Sequence, residues 1–344
     1  MNLRIHDADV VGDRDRLVAF LAPNLDGHGG AGRYDWMYLR NPAGRARAWI
    51  AEDQTSGHLV GAAAAFPRRV RVGERTVTCW NLGDFAISPE CRSLGPAIKL
   101  QRACLAPVLA GEVPFAYDHP SRAMQAVYAR LGVPTTGEVV RHARVLRTEP
   151  QLRQRVKLGP LAGGLGIVAD VALSVWRPLP ASNGIAVRRF SGPFDARIAG
   201  TWKLPPDDAG IAIERTPEYL EWRYRACPVY RCETFVADRD GEPLGYLVVR
   251  QEAQHNAMVA DLVAPPDAAA ALLGKVAAEL RARGVGTLSV PLLAGGRQPF
   301  PAPSWGFVPR ESSPFVVTVA PDGEFAGVVD RAANWYLANG DRDV

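Results

Sequence analysis

A chain that carries one stretch twice is confined to a fold built from two like units, and this sequence carries such a repeat. Tyr34-Asp35-Trp36-Met37-Tyr38 through Pro42 is matched by Tyr219-Leu220-Glu221-Trp222-Arg223-Tyr224 through Pro228. Trp36, Tyr38 and Pro42 pair with Trp222, Tyr224 and Pro228 at one constant offset. Ala51-Glu52-Asp53 followed by Leu59-Val60-Gly61 is answered by Val236-Ala237-Asp238 followed by Pro243-Leu244-Gly245. Asp84 and Pro89 then correspond to Asp261 and Pro266, and Leu131-Gly132-Val133-Pro134 to Trp305-Gly306-Phe307-Val308-Pro309. So many markers in one order read as a tandem duplication. The 344 residues divide into an N-terminal unit over 1–150, a connecting segment over 151–183 and a C-terminal unit over 184–344. That length suffices for two ordinary domains.

Local patterns fill in the first unit. Residues 4–10 suit a strand, 13–21 a helix, and 33–42 a short aromatic helix stopped by Pro42. Residues 48–53 and 59–66 read as a hairpin around Ser56-Gly57, and 69–80 as one more strand. The stretch from Asp84 to Gly132 holds most of the chemistry. Gly83-Asp84-Phe85-Ala86-Ile87 ends a buried strand at a Ser88-Pro89 break. Ala97, Leu100, Ala103, Cys104 and Val108 then recur at helical spacing. A strand, a glycine-containing loop and a helix make an anion site, because free N–H groups and the positive end of the helix dipole converge there.

The loop reads Arg92-x-x-Gly95-x-Ala97. After the helix, residues 113–118 suit a strand, and Ser121 opens a second helix that ends Tyr128-Ala129-Arg130-Leu131-Gly132. This order resembles the GNAT superfamily of acyl-CoA-dependent N-acyltransferases, and the duplication resembles mycothiol synthase and the Eis-type acetyltransferases. The resemblance implies an α/β fold of the α+β type: two tandem GNAT folds, each a mixed, mostly antiparallel sheet flanked by helices. It implies acetyl-CoA or another acyl-CoA as co-substrate and an amine of a small molecule or amino sugar as acceptor. Arg92, Ser93, Leu94, Gly95 and Ala97 would hold the pyrophosphate, and an N–H near Ile87 would polarise the thioester carbonyl. Tyr128 would protonate the departing thiolate, unless it is a packing residue of its helix. Pro96 has no N–H, and Ser93 and Leu94 replace glycine or basic residues common in the family. Those departures leave another acyl thioester, such as an acyl carrier protein, open as donor.

The acceptor must lose a proton, and Asp84 or His119 could take it. Each has a plainer reading. Asp84 has a counterpart, Asp261, in the other copy, which suits a strand brace; His119 precedes Pro120 at a strand-to-helix break, where an exposed loop histidine is common. Asp118 is an expected acceptor contact. The closing stretch 334–344 places Trp335 and Tyr336 before Gly-Asp-Arg-Asp. The aromatics would anchor it, and Asp341 and Asp343 would be presented together to a cationic acceptor, or would simply be solvated.

The second copy departs where the chemistry would lie. Pro265-Pro266-Asp267-Ala268-Ala269-Ala270 has neither the arginine nor the glycine, and a Gly/Pro-rich loop replaces the tyrosine-bearing helix. This half should keep the fold, lack a pyrophosphate site and wall the acceptor cleft. Between the copies, residues 158–176 are nearly uncharged, but Asp170 interrupts them, four glycines weaken their helix and the uncharged runs fall short of a spanning length, so an interdomain helix packed on one sheet is expected rather than a membrane contact.

An apolar content of 47% and a charged content of 22% are those of a globular protein. The net +4 is nearly all arginine, with no basic block interleaved with aromatics, so no nucleic-acid partner is expected. The five cysteines form no metal-ligand pattern, and the start lacks a signal-peptide core, so a reducing cytoplasm is the expected setting. A second copy of the chain is a further partner to consider. Two other classes compete with the N-acyltransferase. A Fem-type aminoacyl transferase also pairs two GNAT-like domains, though no coiled-coil arm is present here. The other is a non-catalytic ligand-binding scaffold.

Overall fold

The computed structural model describes residues 2–25, 29–147, 184–201, 210–253, 255–298 and 305–343. The expected connecting segment over 151–183 lies outside the described residues. No helix among the described residues is long and apolar enough to cross a membrane.

Among the described residues fourteen strands form one mixed, mostly antiparallel sheet. The first half contributes β1 (Leu3–Ala8), β2 (Arg47–Asp53), β3 (Leu59–Val72), β4 (Arg75–Ile87), β5 (Ala116–Asp118) and β6 (Gly137–Val145). The second contributes β7 (Ala186–Phe190), β8 (Ile211–Ile213), β9 (Cys232–Arg239), β10 (Glu242–Ala253), β11 (Asn256–Val263), β12 (Thr287–Leu293), β13 (Val308–Thr318) and β14 (Trp335–Tyr336). Four helices of the first half are α1 (Arg14–Asn24), α2 (Ala31–Tyr34), α3 (Leu94–Leu109) and α4 (Arg122–Leu131). The second half has its long helix at Pro266–Ala282.

The spatial order is β1-β2-β3-β4-β5-β13-β6-β12-β11-β10-β9-β7, with β8 beside β3 and β14. Each half lends the other a strand. β6 runs antiparallel between β12 and β13 of the second half, while β13 runs antiparallel beside β5 of the first. The two copies therefore share one hydrogen-bonded sheet rather than abutting as separate ones.

The run Val60–Phe66 is buried on both faces of β3, and its alternation decides what covers each face. Ala63 and Ala65 face the layer of α3 and α4, with Trp49, Trp80, Leu100 and Val108. Ala62, Ala64 and Phe66 face a central core shared with the second half. In that core the repeat meets itself. α2 continues into a π-helical turn at Asp35–Leu39, and the turn at Glu221–Arg225 repeats it. Trp36 and Trp222 stack with ring centroids 4.9 Å apart. Each indole N–H donates to the other's backbone carbonyl, at 2.8 and 3.0 Å. Two of the markers that betray the duplication, Trp36 and Trp222, thus join its two copies.

Candidate functional site

β4 and β5 run parallel, but they pair only at Trp80–Ala116 and Asn81–Tyr117. β4 then continues to Ile87 without a partner on that edge, so the strands part and leave a cleft. On its other edge β4 bulges, with Asp84 and Phe85 standing opposite the single Ala63. Asp84 takes φ 49°, a left-handed conformation that a non-glycine residue adopts only when its surroundings hold it there. The Ser88 N–H donates to the Val60 carbonyl at 2.8 Å, which makes Ile87–Gly61 a non-hydrogen-bonded pair. The N–H of Ile87 is thereby turned toward the open side of the cleft.

At the mouth of the cleft a short turn, Pro89–Cys91, leads through Arg92 to α3. Arg92, Ser93, Leu94 and Gly95 are exposed there. Ser93 is the N-cap yet makes no side-chain cap bond, and no acidic residue sits in the first turn. The N–H groups of Ser93, Leu94 and Gly95 are left for an external acceptor; Pro96 supplies none. A Cβ at Gly95 would meet nothing within 4 Å, so the approach is open. Ala97 is buried one turn in and packs α3 onto the sheet.

The second copy has the same skeleton without these groups. Its helix begins at Pro266 after an N-cap Pro265, so two N–H donors are missing. The Asp267 carboxylate accepts from the Ala268 N–H at 2.9 Å and puts a negative charge where an anion would sit. The cleft between its parallel strands β11 and β12 is lined instead by the chain's own Tyr336, Leu337, Ala338 and Asn339.

Tyr128 lies on α4, which Ser121 caps by accepting from the Met124 N–H and which Gly132 ends with φ 73°. Its side chain is buried. The hydroxyl donates to Asp118 Oδ2 at 2.7 Å and accepts from Gln101 Nε2 at 3.0 Å. Burial, and then the nearby Asp118 charge, push the phenol well above its ordinary value, so it holds its proton. Asp118, at the end of β5, is pushed up to about 7; burial is the main cause, and repulsion from Asp343 adds to it. The Tyr128 hydrogen bond acts in the opposite direction.

Asp84 is occupied elsewhere. Arg33 grips it through two hydrogen bonds of 2.7 Å each, and the Tyr38 hydroxyl donates to it at 2.9 Å. In the second copy Asp261 has the matching partners: Arg215 at 3.2 Å and the Tyr224 hydroxyl at 3.0 Å. Both carboxylates pin a bulged strand to the π-helical turn of their own half. His119 differs from the sequence expectation of an exposed loop residue. It is buried against Tyr117 and Phe315, with neither ring nitrogen hydrogen-bonded. Burial holds it neutral, well below the usual histidine range.

Asp341 and Asp343 are not presented together. Trp335 is fully buried against Phe115, Tyr117 and Phe315 and directs the following residues between the halves. Asp341 turns inward, bonded to Arg215 at 2.9 Å and to the Ala338 N–H at 2.8 Å, while its carbonyl accepts from the Tyr117 hydroxyl at 2.6 Å. Asp343 instead reaches the first copy's cleft. Its carboxylate lies against Gly83 so closely that a Cβ there would clash, which explains a glycine beside the bulge. Burial, and then the Asp84 charge, raise its titration. Asp343 also lines a cavity of about 400 Å³ between the halves, with Arg342, Arg250, Arg141, Ser312 and Ser313. Sequence reasoning missed Arg33, Tyr38, Gln101, Arg250 and Arg342. Each comes from an element other than those that carry Asp84, Asp118 and Tyr128, or lies far along the chain from them, and only the repeat of Tyr38 as Tyr224 hinted at one of them.

Residues 16–134 match the family model of the acetyltransferase (GNAT) domain. No curated protein matches the sequence. Among solved structures, a GCN5-related N-acetyltransferase from Anabaena variabilis superposes with a TM-score of 0.62 at 12% identity, covering 92% of this chain and 73% of that one. Eis1 from Mycobacterium abscessus gives a TM-score of 0.55 at 17% identity, covering 96% and 76%. A tandem GNAT protein from the clavulanic acid biosynthesis pathway gives 0.56 at 15% identity, covering 92% and 98%. Such identities speak for the fold. Residues 16–134 thus resemble the acetyltransferase (GNAT) domain, and the chain as a whole has the fold of the tandem GNAT protein.

Proposed function

We propose that the protein is an N-acyltransferase that moves an acetyl or other acyl group from acyl-CoA to an amine held between its two halves. The observation that carries this reading is the buried Tyr128–Asp118 pair at the inner end of a cleft whose mouth offers unused helix N–H groups. A phenol that keeps its proton is joined to a carboxylate that titrates near neutrality, which suits paired acid and base work. The titratable groups named from the sequence take different parts. Asp84 acts as a brace, since Arg33 and Tyr38 already use its oxygens.

The residues present fit acyl-CoA. Ser93, Leu94 and Gly95 would hold the pyrophosphate, Arg92 would add charge, and the Ile87 N–H would face the acyl carbonyl. When bound, acyl-CoA supplies a thioester whose C–S bond breaks as the amine's N–C bond forms. Asp118 takes the amine proton, directly or through Asp343. Tyr128 holds a proton at its hydroxyl for the departing sulfur and regains one from Asp118 along their hydrogen bond, so the amine's proton ends on sulfur. Gln101 positions the phenol. The second half, its own cleft filled, walls the acceptor site.

Calorimetry with acetyl-CoA, followed by thiol release over a panel of amines, tests the reading. Saturable binding with amine-dependent thiol release is expected. A folded protein that binds no acyl-CoA would instead be a non-catalytic tandem GNAT scaffold.

A further inference from the structure

The cavity between the halves is charged in a way that amine acylation alone does not require. Asp343 and Asp118 stand on the side of the first copy's cleft and suit an amine. Across from them, Arg250 and Arg342 both line the cavity. Arg141, the third arginine there, is fully engaged. It makes hydrogen bonds of 2.5 and 2.9 Å to the two oxygens of Glu311 and one of 2.7 Å to Ser289 Oγ.

The other two are not. Arg250 lies over the Tyr230 ring, 4.2 Å from its centroid, and its Nη2 donates to Glu252 at 2.8 Å and to the Met258 sulfur at 3.8 Å. Its Nε is buried with no acceptor. The backbone of Arg342 is fixed, since its carbonyl accepts from Arg223 at 2.7 Å, but among the described residues its guanidinium has neither a hydrogen bond nor an ion pair within 4 Å. Burial is the main influence disfavouring a cation at that place and the neighbouring Arg250 charge adds to it, while the Asp343 charge, and then those of Asp118 and Glu252, favour it without bonding to it. Two arginines held side by side, with donors unused in a cavity of about 400 Å³, form a receptor for an anion. Ser312 and Ser313 on the same wall add hydroxyl donors.

Resting on the acyltransferase reading, we infer that the acceptor carries an anionic oxygen group as well as its amine, and that Arg342 and Arg250 bind that group while Asp343 and Asp118 receive the amine. A carboxylate and a phosphate share this chemistry. The substrate class is then a small zwitterion, such as an amino acid or an amino phosphate, rather than a polycationic amino sugar. The second copy supplies Arg250, so it contributes directly to acceptor specificity.

The test is thiol release from acetyl-CoA with matched pairs. One arm compares α-amino acids with their C-terminal amides; the other compares phosphoethanolamine with ethanolamine. In wild type the anionic member of at least one pair should be favoured by roughly 10- to 100-fold in kcat/KM, the range of a charge-assisted hydrogen-bond pair, with the difference lying mainly in KM. The arm that shows it names the anion. In Arg342→Gln, with its acetyl-CoA affinity measured to establish a folded donor site, that ratio should fall toward one, while Arg342→Lys keeps part of it. Thiol release with no preference for the anionic member in either arm overturns this inference and leaves the acyltransferase reading standing. Absence of both acyl-CoA binding and thiol release overturns the acyltransferase reading, and this inference with it.

Discussion

Tyr128 shows how much one hydrogen bond can separate chemistry from packing. Its ring packs in the helix layer and would do so as phenylalanine; its hydroxyl alone meets Asp118 and Gln101. Tyr128→Phe should therefore fold normally, keep its acceptor KM and lose roughly 10² or more in kcat, checked by steady-state thiol release. A variant as fast as wild type would make Tyr128 a core residue only. Asp118 gives a prediction of opposite polarity along the pH axis. A base must be unprotonated to act, and burial raises this one to about 7. kcat/KM should rise with pH through about 7 and level off above it, and Asp118→Asn should abolish that limb along with most of the rate. Asp84 belongs to a third kind. Replacing it with asparagine leaves the Arg33 guanidinium buried without its counter-charge, at a cost of about 3–5 kcal/mol in urea unfolding. If Asp84→Asn unfolds like wild type but turns over slowly, Asp84 is the base after all.

At the scale of elements, what was legible in the sequence was whatever repeats or caps locally. The strand–loop–helix around Gly95, the α4 helix closed by Gly132 and the π-helical turns marked by Trp36 and Trp222 all stand on neighbours close in sequence. What stayed hidden depends on partners far along the chain. Asp118 and Tyr128 meet because a strand and a helix converge, and Arg33 finds Asp84 from 51 residues away. The aspartates of the closing stretch looked like a pair because they are two apart. In the structure they diverge, Asp341 to Arg215 and Asp343 to the cleft, because the Trp335 anchor fixes the direction of entry. The donor loop permits a clean element-level test. A side chain at Gly95 would project into open space, so Gly95→Trp should leave the fold and its thermal midpoint unchanged while weakening acetyl-CoA binding by at least tenfold in calorimetry. Undiminished affinity would move the donor site elsewhere. The equivalent turn in the second copy, with Pro265, Pro266 and Asp267, is the natural comparison: it shows the same helix start with its anion-binding groups removed.

For the whole molecule, the decisive feature is the exchange of β6 and β13. Duplication alone would produce two domains, each able to fold by itself. Here β6 has both of its strand neighbours, β12 and β13, in the other half, and β5 depends on β13 for one edge. Residues 1–150, taken from the sequence as one unit, would therefore leave β6 with no strand to pair with. They would also expose the central face that holds Trp36, Tyr38 and Phe66. Unpaired edges and a bared apolar face favour aggregation over a native state. Produced alone, residues 1–150 should show no cooperative urea transition, whereas the full chain should unfold in one step, with tryptophan fluorescence and far-ultraviolet dichroism coinciding. The consequence reaches function, since Asp343 comes near Asp118, and Arg250 lines the same cavity as Asp343, only when the two halves share a sheet. If residues 1–150 alone fold cooperatively and bind acetyl-CoA as tightly as the whole chain, the exchanged strands are a connection rather than a requirement. The second half would then serve the acceptor alone.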